Sequence, residues 1–148
     1  AANRGENITV IFINNAVYGM TGGQMAPTTM LEQKTTTTPA GRHKSLDGYP
    51  VKVCELFSQL KGVVYAQRCT LTSPAQVNKT KKAIKKAFQC QKDGLGFSLV
   101  EILSPCPTNW KMSPVDACNW IDEIMSKEFP LGVFKDDSTT TKKDREAV

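Results

Sequence analysis

Residues 8–29, ITVIFINNAVYGMTGGQMAPTT, decide the fold that this sequence predicts. The run 8–13 is β-branched and aromatic and is bounded by polar residues, which is typical of a strand fully buried in a parallel sheet. Asn14 and Asn15 follow it directly, and the ligands of parallel sheets collect beyond the carboxyl ends of the strands. Amides, glycines and hydroxyls then follow without periodicity. The sequence therefore predicts a binding loop after a buried strand.

The chain has 148 residues, which is room for one domain with a hydrophobic core. No apolar run approaches the roughly 20 residues that a membrane helix needs. The first residues, AANRGENITV, lack the apolar stretch of a signal peptide. We therefore expect a cytoplasmic protein without a membrane partner.

Helix and strand patterns alternate through the rest of the chain. A helical pattern covers 53–60, strand-forming residues run over 63–69, and Ser73-Pro74 is a typical helix start. A third strand is predicted over 97–103, and Ser113-Pro114 begins a last helix. This alternation predicts an α/β fold, because right-handed crossovers would make the three strands parallel, with helices on the faces of the sheet.

Residues 14–50 have no sustained period, and loops of that length inside a domain tend to be lids or binding loops. We expect a cofactor or partner loop there, within a domain that covers 1–134. A flexible polar tail is predicted over 135–148. The seven residues AANRGEN are typical of a helix end and its turn, so we expect the domain to begin upstream of Ala1.

The net charge of +5 comes from 19 basic and 14 acidic residues. Five lysines lie on the helix predicted after Ser73: Lys79, Lys81, Lys82, Lys85 and Lys86. Such a face is either solvated or attracts an acidic protein or a polyanion. Four apolar residues are expected to form a stripe opposite the lysines: Val77, Ile84, Ala87 and Phe88. Because no aromatic residue interleaves with the lysines, we expect no nucleic-acid partner.

The five cysteines are odd in number, and no two of them have the spacing of metal ribbons or redox pairs. A disulfide framework is therefore not expected. Four of them are interpreted as small buried residues in a reducing compartment: Cys54, Cys69, Cys90 and Cys118. Without a further signal, Cys106 would also be interpreted as a small buried thiol.

The segment after the first strand has the chemistry of a phosphate and metal site. Mg²⁺ prefers oxygen ligands, which the Asn15 amide can supply. Gly22 and Gly23 allow positive φ and a close backbone approach, and Thr21 and backbone N–H groups can bind phosphate oxygens. An asparagine pair followed by glycines is also the pattern of a plain turn.

Two segments, 8–29 and FSLVEILSPCPTNWKMSPVDA at 97–117, closely resemble the β subunit of 2-oxoacid:ferredoxin oxidoreductases. That subunit binds thiamine diphosphate, and the match is nearest to the 2-oxoisovalerate and 2-oxoglutarate branch. The resemblance covers most of 1–134. It implies the C-terminal part of a thiamine-diphosphate-binding fold. It also implies oxidative decarboxylation of a 2-oxoacid to acyl-CoA and CO₂, with electrons passed to ferredoxin.

The resemblance also implies roles for individual residues. Asn15 would give a side-chain oxygen, and Val17 its backbone carbonyl, to Mg²⁺. Four residues would line the thiamine diphosphate: Tyr18, Gly19, Met20 and Thr21. Cys106 would be the fourth ligand of a [4Fe–4S] cluster. The family's Gly-Asp-Gly half of the cofactor motif and its other three cysteine ligands are absent from this sequence.

The expected partners are the other oxidoreductase subunits, ferredoxin, a 2-oxoacid and coenzyme A. No catalytic residue is assigned to this chain, because in the family the glutamate that activates the cofactor comes from a partner subunit. His43 is interpreted as a loop histidine. Because half of the cofactor motif is absent, we expect the isolated chain to be inactive and without cofactors. An apolar sheet edge beside 8–13 would favour self-association.

Two alternatives stay open at this point. Gly-Gly-Gln at 22–24 also occurs at the tip of peptide-chain release factors, and a basic chain could contact ribosomal RNA. Those tips do not follow a buried strand, and hydrolysis of tRNA esters would identify that class. The second alternative is a scaffold fragment without catalytic activity.

Overall fold

The computed structural model describes residues 1–139, which form two compact units. The first unit comprises 1–12, 53–102 and 131–139, and the second comprises 13–52 and 103–130.

Within residues 1–139, six strands form two sheets: β1 (Thr9–Asn14), β2 (Val17–Tyr18), β3 (Gln24–Met25), β4 (Val63–Thr70), β5 (Phe97–Leu103) and β6 (Gly132–Asp136). The central sheet has the order β1-β5-β4-β6, and β2 pairs with β3 in an antiparallel hairpin. The N–H of Ser98 donates to the carbonyl of Ile8, and the N–H of Ser104 donates to that of Asn14. Both partners advance by six residues, so β1 and β5 are parallel. In the central sheet β6 runs antiparallel to β4. The sheet is otherwise mostly parallel and carries flanking helices, so the predicted α/β fold is confirmed.

The described part of the chain contains six α-helices: α1 (Lys44–Asp47), α2 (Val53–Ser58), α3 (Pro74–Lys92), α4 (Pro107–Trp110), α5 (Pro114–Trp120) and α6 (Ser126–Glu128). A π-helical turn, Ile121–Met125, joins α5 to α6. Ser73 and Ser113 cap α3 and α5 as predicted, since each hydroxyl accepts a hydrogen bond from the backbone N–H three residues later. None of the helices in residues 1–139 is long and apolar enough to cross a membrane.

In the first unit, α3 packs against β4 through small side chains. The buried residues of α3 are Thr80, Ala83, Ala87 and Cys90. Phe88 is 52% exposed, so its predicted place in the apolar stripe was wrong. It follows Ala87 by one residue, which is a rotation of about 100° around the helix axis and away from the buried stripe. Of the five lysines, Lys86 pairs with Asp136, and the other four are exposed.

The expectation that the first strand is fully buried was also wrong. Strand β1 lies at the edge of the central sheet, and Thr9–Phe12 are only partly buried. Ile8 precedes the strand and is 42% exposed. An edge strand has a neighbour on one side only, so its side chains are covered less completely than those of an inner strand. By contrast, every residue of β5 is buried.

A buried ionic cluster lies within the first unit. The Arg68 and Glu101 side chains are both fully buried, with 2.8 Å between Arg68 Nε and Glu101 Oε2. The guanidinium also binds the Glu55 carboxylate. Its carbon lies 4.8 Å from the ring centroid of Phe134. Three side chains, Glu55 from α2, Glu101 from β5 and Phe134 from β6, thus meet around one arginine on β4.

The second unit has its own apolar core, made of Ala16, Met30, Leu103, Ile121, Met125 and Phe129. Trp110 and Trp120 pack against this core and against each other, with ring centroids 4.6 Å apart.

All five cysteines are free thiols, as expected. Burial raises the pKa of the Cys54, Cys69 and Cys90 thiols, which makes them poorly reactive. Cys118 is only half-buried, which differs from the expectation of a buried residue.

The predicted tail begins at residue 135, but Lys135 and Asp136 lie in β6, a strand that was not predicted. Residues 140–148 of that tail lie outside the described residues.

Candidate cofactor site

The candidate metal residue Asn15 lies in a tight turn between β1 and the β2–β3 hairpin. Its side-chain Oδ1 accepts a hydrogen bond from the N–H of Val17 at 3.3 Å. Asn14 is fully buried and stabilises the same turn, because its Oδ1 accepts from the N–H of Ala16 at 3.1 Å. Ala16 adopts a φ of 57°, which an asparagine-supported turn makes possible. The structural role of Asn14 was not predicted.

The predicted cofactor-lining residues form the exposed side of the hairpin. Tyr18 is 53% exposed and Met20 is completely exposed. The Thr21 hydroxyl donates to Gln24 Oε1 at 2.7 Å, and the Gln24 amide donates back to the Thr21 carbonyl at 2.8 Å. This reciprocal pair gives the tip of the hairpin a defined shape while leaving its surface open.

Two glycines lie so close to other groups of the site that a Cβ atom would crowd them. A Cβ atom on Gly19 would lie 3.1 Å from Cys106 Sγ and 3.3 Å from Asn15 Nδ2. A Cβ atom on Gly23 would lie 2.4 Å from Asn109 Oδ1, and Gly23 has a φ of 82°. Both geometry and φ therefore require glycine at 23.

The second sequence motif contacts the first. Asn109 Nδ2 lies 3.1 Å from Cys106 Sγ and 3.2 Å from the carbonyl oxygen of Gly19. Trp110 Nε1 donates to the carbonyl of Asn15 at 3.2 Å. The turn that carries Cys106 is thus attached by two side chains to the loop that carries Asn15. The positions of Asn109 and Trp110 directly after Cys-Pro were the available signal, but sequence reasoning gave them no role.

Cys106 precedes the short helix α4 and is partly exposed. A thiolate is a suitable ligand for iron. Within residues 1–139 no group of three or more His, Cys, Asp or Glu side chains is arranged to hold a metal ion. Cys106 is therefore a candidate for one ligand position of a cluster.

The neutral site around Asn15 fits part of a magnesium and diphosphate site. Its amide oxygen is a suitable magnesium ligand, and the glycines permit close approach of a phosphate to the backbone. No Gly-Asp-Gly sequence occurs in the chain to add the carboxylate of the family motif.

Arg42 holds the remainder of the long loop in place. It is 5% exposed, and its guanidinium donates to six backbone carbonyls: those of Ala26, Pro27, Thr29, Asp47, Gly48 and Tyr49. Burial lowers the pKa of Arg42 below its ordinary value, and the Asp47 carboxylate opposes this shift. His43, next to it, is exposed at the start of α1 and shares a 2.8 Å hydrogen bond with Ser45 Oγ.

A cavity of about 740 Å³ borders the two attached segments within the second unit. Gly23, Asn109 and Trp110 lie in its wall, together with Lys34 and Lys111. Gly23 and Asn109, which lie close together, therefore both border this cavity.

Comparison with curated proteins finds relatives whose matches cover nearly the whole chain. Ketoisovalerate oxidoreductase subunit VorA of Methanothermobacter marburgensis is 48% identical over 141 residues, which cover 95% of this chain and 30% of VorA. 2-Oxoglutarate synthase subunit KorB of Archaeoglobus fulgidus is 37% identical, and the match covers 91% of this chain and 50% of KorB. The chain thus spans between about a third and a half of these relatives. Their names confirm the resemblance identified from the sequence and do not favour the release-factor alternative.

A solved structure supports the fold. It is a 2-oxoglutarate:ferredoxin oxidoreductase from Magnetococcus marinus with 2-oxoglutarate, coenzyme A and succinyl-CoA bound, and it matches with a TM-score of 0.65 at 20% identity. The match covers 99% of this chain and 54% of the solved chain. The model of the family described as "Thiamine pyrophosphate enzyme, C-terminal TPP binding domain" matches residues 1–102, more than half of the sequence. This chain is therefore a member of the family of C-terminal thiamine-pyrophosphate-binding domains of thiamine pyrophosphate enzymes.

Proposed function

We propose that this chain provides half of the thiamine diphosphate site of a cytoplasmic 2-oxoacid:ferredoxin oxidoreductase. The complete enzyme would convert a 2-oxoacid and coenzyme A to acyl-CoA and CO₂ and pass electrons to ferredoxin. Thiamine diphosphate, when bound, supplies the chemistry that cleaves the bond to the carboxylate. This chain would hold part of the cofactor and contribute one cluster ligand, and the rest of the enzyme would supply the remainder.

The observation that carries the proposal is the joining of the Asn15 loop to the Cys106 turn. Asn109 donates to the Gly19 carbonyl and Trp110 donates to the Asn15 carbonyl, so the two motifs form one local structure. A plain turn after a strand would not require contacts to a segment about 90 residues away. Such contacts favour a site in which a magnesium ligand and a cluster ligand are placed together.

In this proposal Asn15 supplies its side-chain oxygen and Val17 its backbone carbonyl to Mg²⁺. The exposed hairpin residues Tyr18, Met20 and Thr21 cover the cofactor together with Gly19. A thiolate at Cys106 completes the ligands of a [4Fe–4S] cluster whose other three cysteines come from outside residues 1–148.

Substitution of Asn15 by alanine tests the proposal. In the complete heteromeric complex with Mg²⁺, we expect Asn15→Ala to weaken thiamine diphosphate binding by about 100-fold or more, because a metal ligand is lost. Isothermal titration calorimetry measures the binding, and coenzyme A-dependent reduction of methyl viologen by a 2-oxoacid measures the activity. Asn78→Ala is the matched control, since Asn78 is exposed on α3. The 148-residue chain alone is expected to bind weakly, and micromolar binding by it would contradict the half-site assignment.

Self-association of the isolated chain is a second expected result. Strand β1 has one neighbouring strand in the described part of the chain, so one edge of the sheet is available for pairing. Light scattering is expected to give a mass that rises above 16.3 kDa as the concentration increases. Ile8→Lys, at an exposed position beside this edge, should reduce the association, because an added charge opposes edge-to-edge pairing. A monomer at millimolar concentration would show that the edge is protected.

A further inference from the structure

Asn109 occupies a central position in the candidate site, because its one amide group contacts both sequence motifs. The Nδ2 atom lies 3.1 Å from Cys106 Sγ and 3.2 Å from the carbonyl oxygen of Gly19. A primary amide carries two hydrogens on its nitrogen, so both contacts can be donated at the same time. The Gly19 carbonyl and the Cys106 sulfur thus accept hydrogen bonds from the same nitrogen atom.

The oxygen of the Asn109 amide packs closely against Gly23 of the loop. Its Oδ1 faces Gly23 so closely that a Cβ atom there would lie 2.4 Å away. A Cβ atom on Gly19, the residue whose carbonyl is bound, would lie 3.1 Å from Cys106 Sγ, so a side chain there would require the sulfur to shift. The amide therefore lies beside Gly19, Gly23 and the Cys106 thiol, and Asn109 also borders the cavity. Because one nitrogen donates to both acceptors, a displacement of Asn109 changes its hydrogen bonds to the Gly19 carbonyl and to Cys106 Sγ together.

We propose that Asn109 is a positioning residue shared by the two functional groups of the site. One amide fixes the loop that holds the diphosphate and donates an N–H group to the sulfur that binds the cluster. This inference rests on the proposed function, because it takes Cys106 as a cluster ligand. The N–H dipole stabilises negative charge on the sulfur, and the reduced cluster is the more negative form. Hydrogen bonds to the sulfurs are one of the factors that set cluster potentials.

Trp110 offers a matched comparison in the same turn. Its indole donates to the carbonyl of Asn15 at 3.2 Å, so it stabilises the same loop. No hydrogen bond from the indole to Cys106 is recorded for residues 1–139, in contrast to Asn109. Loss of the indole N–H should therefore affect the loop and leave the sulfur unchanged.

The experiment uses the complete heteromeric enzyme with Asn109→Ala, Asn109→Asp and Trp110→Phe. Asn109→Asp keeps the shape of the side chain and replaces the nitrogen donor by oxygen, so it remains informative if the alanine variant folds poorly. Redox titration followed by electron paramagnetic resonance measures the midpoint potential of the cluster. Both Asn109 variants are expected to shift it to a more negative value, and Trp110→Phe is expected to leave it unchanged. All three should weaken thiamine diphosphate binding by roughly fivefold, the loss typical of one hydrogen bond.

The potential separates a positioning role from general damage to the fold. A midpoint potential in both Asn109 variants equal to that of the wild type would overturn the inference while leaving the proposed function intact. An equal shift in Trp110→Phe would also overturn it, since the effect would then not depend on the donor to sulfur. A wild-type complex without a cluster signal would contradict the proposed function itself, and the inference would fall with it.

Discussion

Arg68→Met is expected to destabilise the first unit by about 3–5 kcal/mol, the cost of removing one partner of a buried ion pair. The Glu101 side chain is fully buried, and it would lose the guanidinium whose Nε lies 2.8 Å from its Oε2. The N–H of Cys54 would remain as a partner at 3.3 Å, which is a poor replacement for a guanidinium. Urea unfolding followed by circular dichroism measures the change in the free energy of unfolding.

The matched control is Arg4→Met, because Arg4 and Glu6 form an ion pair in which both side chains are largely exposed. This change should alter the free energy of unfolding by no more than about 0.5 kcal/mol, since exposed pairs contribute little. The double variant Arg68→Met/Glu101→Leu should be more stable than Arg68→Met alone, because it removes the buried carboxylate as well. Equal losses for Arg68→Met and Arg4→Met would contradict the importance of the buried cluster.

Arg42→Ala is expected to release the segment 26–49 from its ordered conformation. Six backbone carbonyls would lose a charged donor, and even partial replacement by water leaves an expected loss of about 3 kcal/mol or more in local stability. Hydrogen exchange followed by mass spectrometry should show faster exchange across 26–49. Peptides from α3, in the other unit, should exchange as in the wild type.

Two further variants define the role of the guanidinium. Arg42→Lys keeps the positive charge but has only three donors on one nitrogen, so it should give an intermediate increase in exchange. Lys44→Ala changes an exposed cation of the same segment and should have little effect. Unchanged exchange over 26–49 in Arg42→Ala would mean that other contacts hold the loop.

The two predicted helix starts and the third strand show what local reasoning can establish. Ser73 and Ser113 cap their helices, and β5 has the bounds 97–103 that its composition indicated. Capping depends on atoms within about three residues, and strand composition depends on consecutive side chains. Helix starts and inner strands of this kind can therefore be predicted from neighbouring residues in the sequence. The same reasoning was wrong for Phe88, because the burial of a helix face depends on the sheet that covers it.

The sequence by itself determined the alternation of β1, α2, β4, α3, β5 and α5, the position of Asn15 after a strand, and the family to which the chain belongs. Only the tertiary structure decided that β1 lies at a sheet edge, that Arg42 organises the long loop, and that Asn109 joins Gly19 to Cys106. The physical reason is that a hydrogen bond depends on distance and direction in space. Asn109 and Gly19 are 90 residues apart in the chain, and no local spacing or propensity encodes their contact.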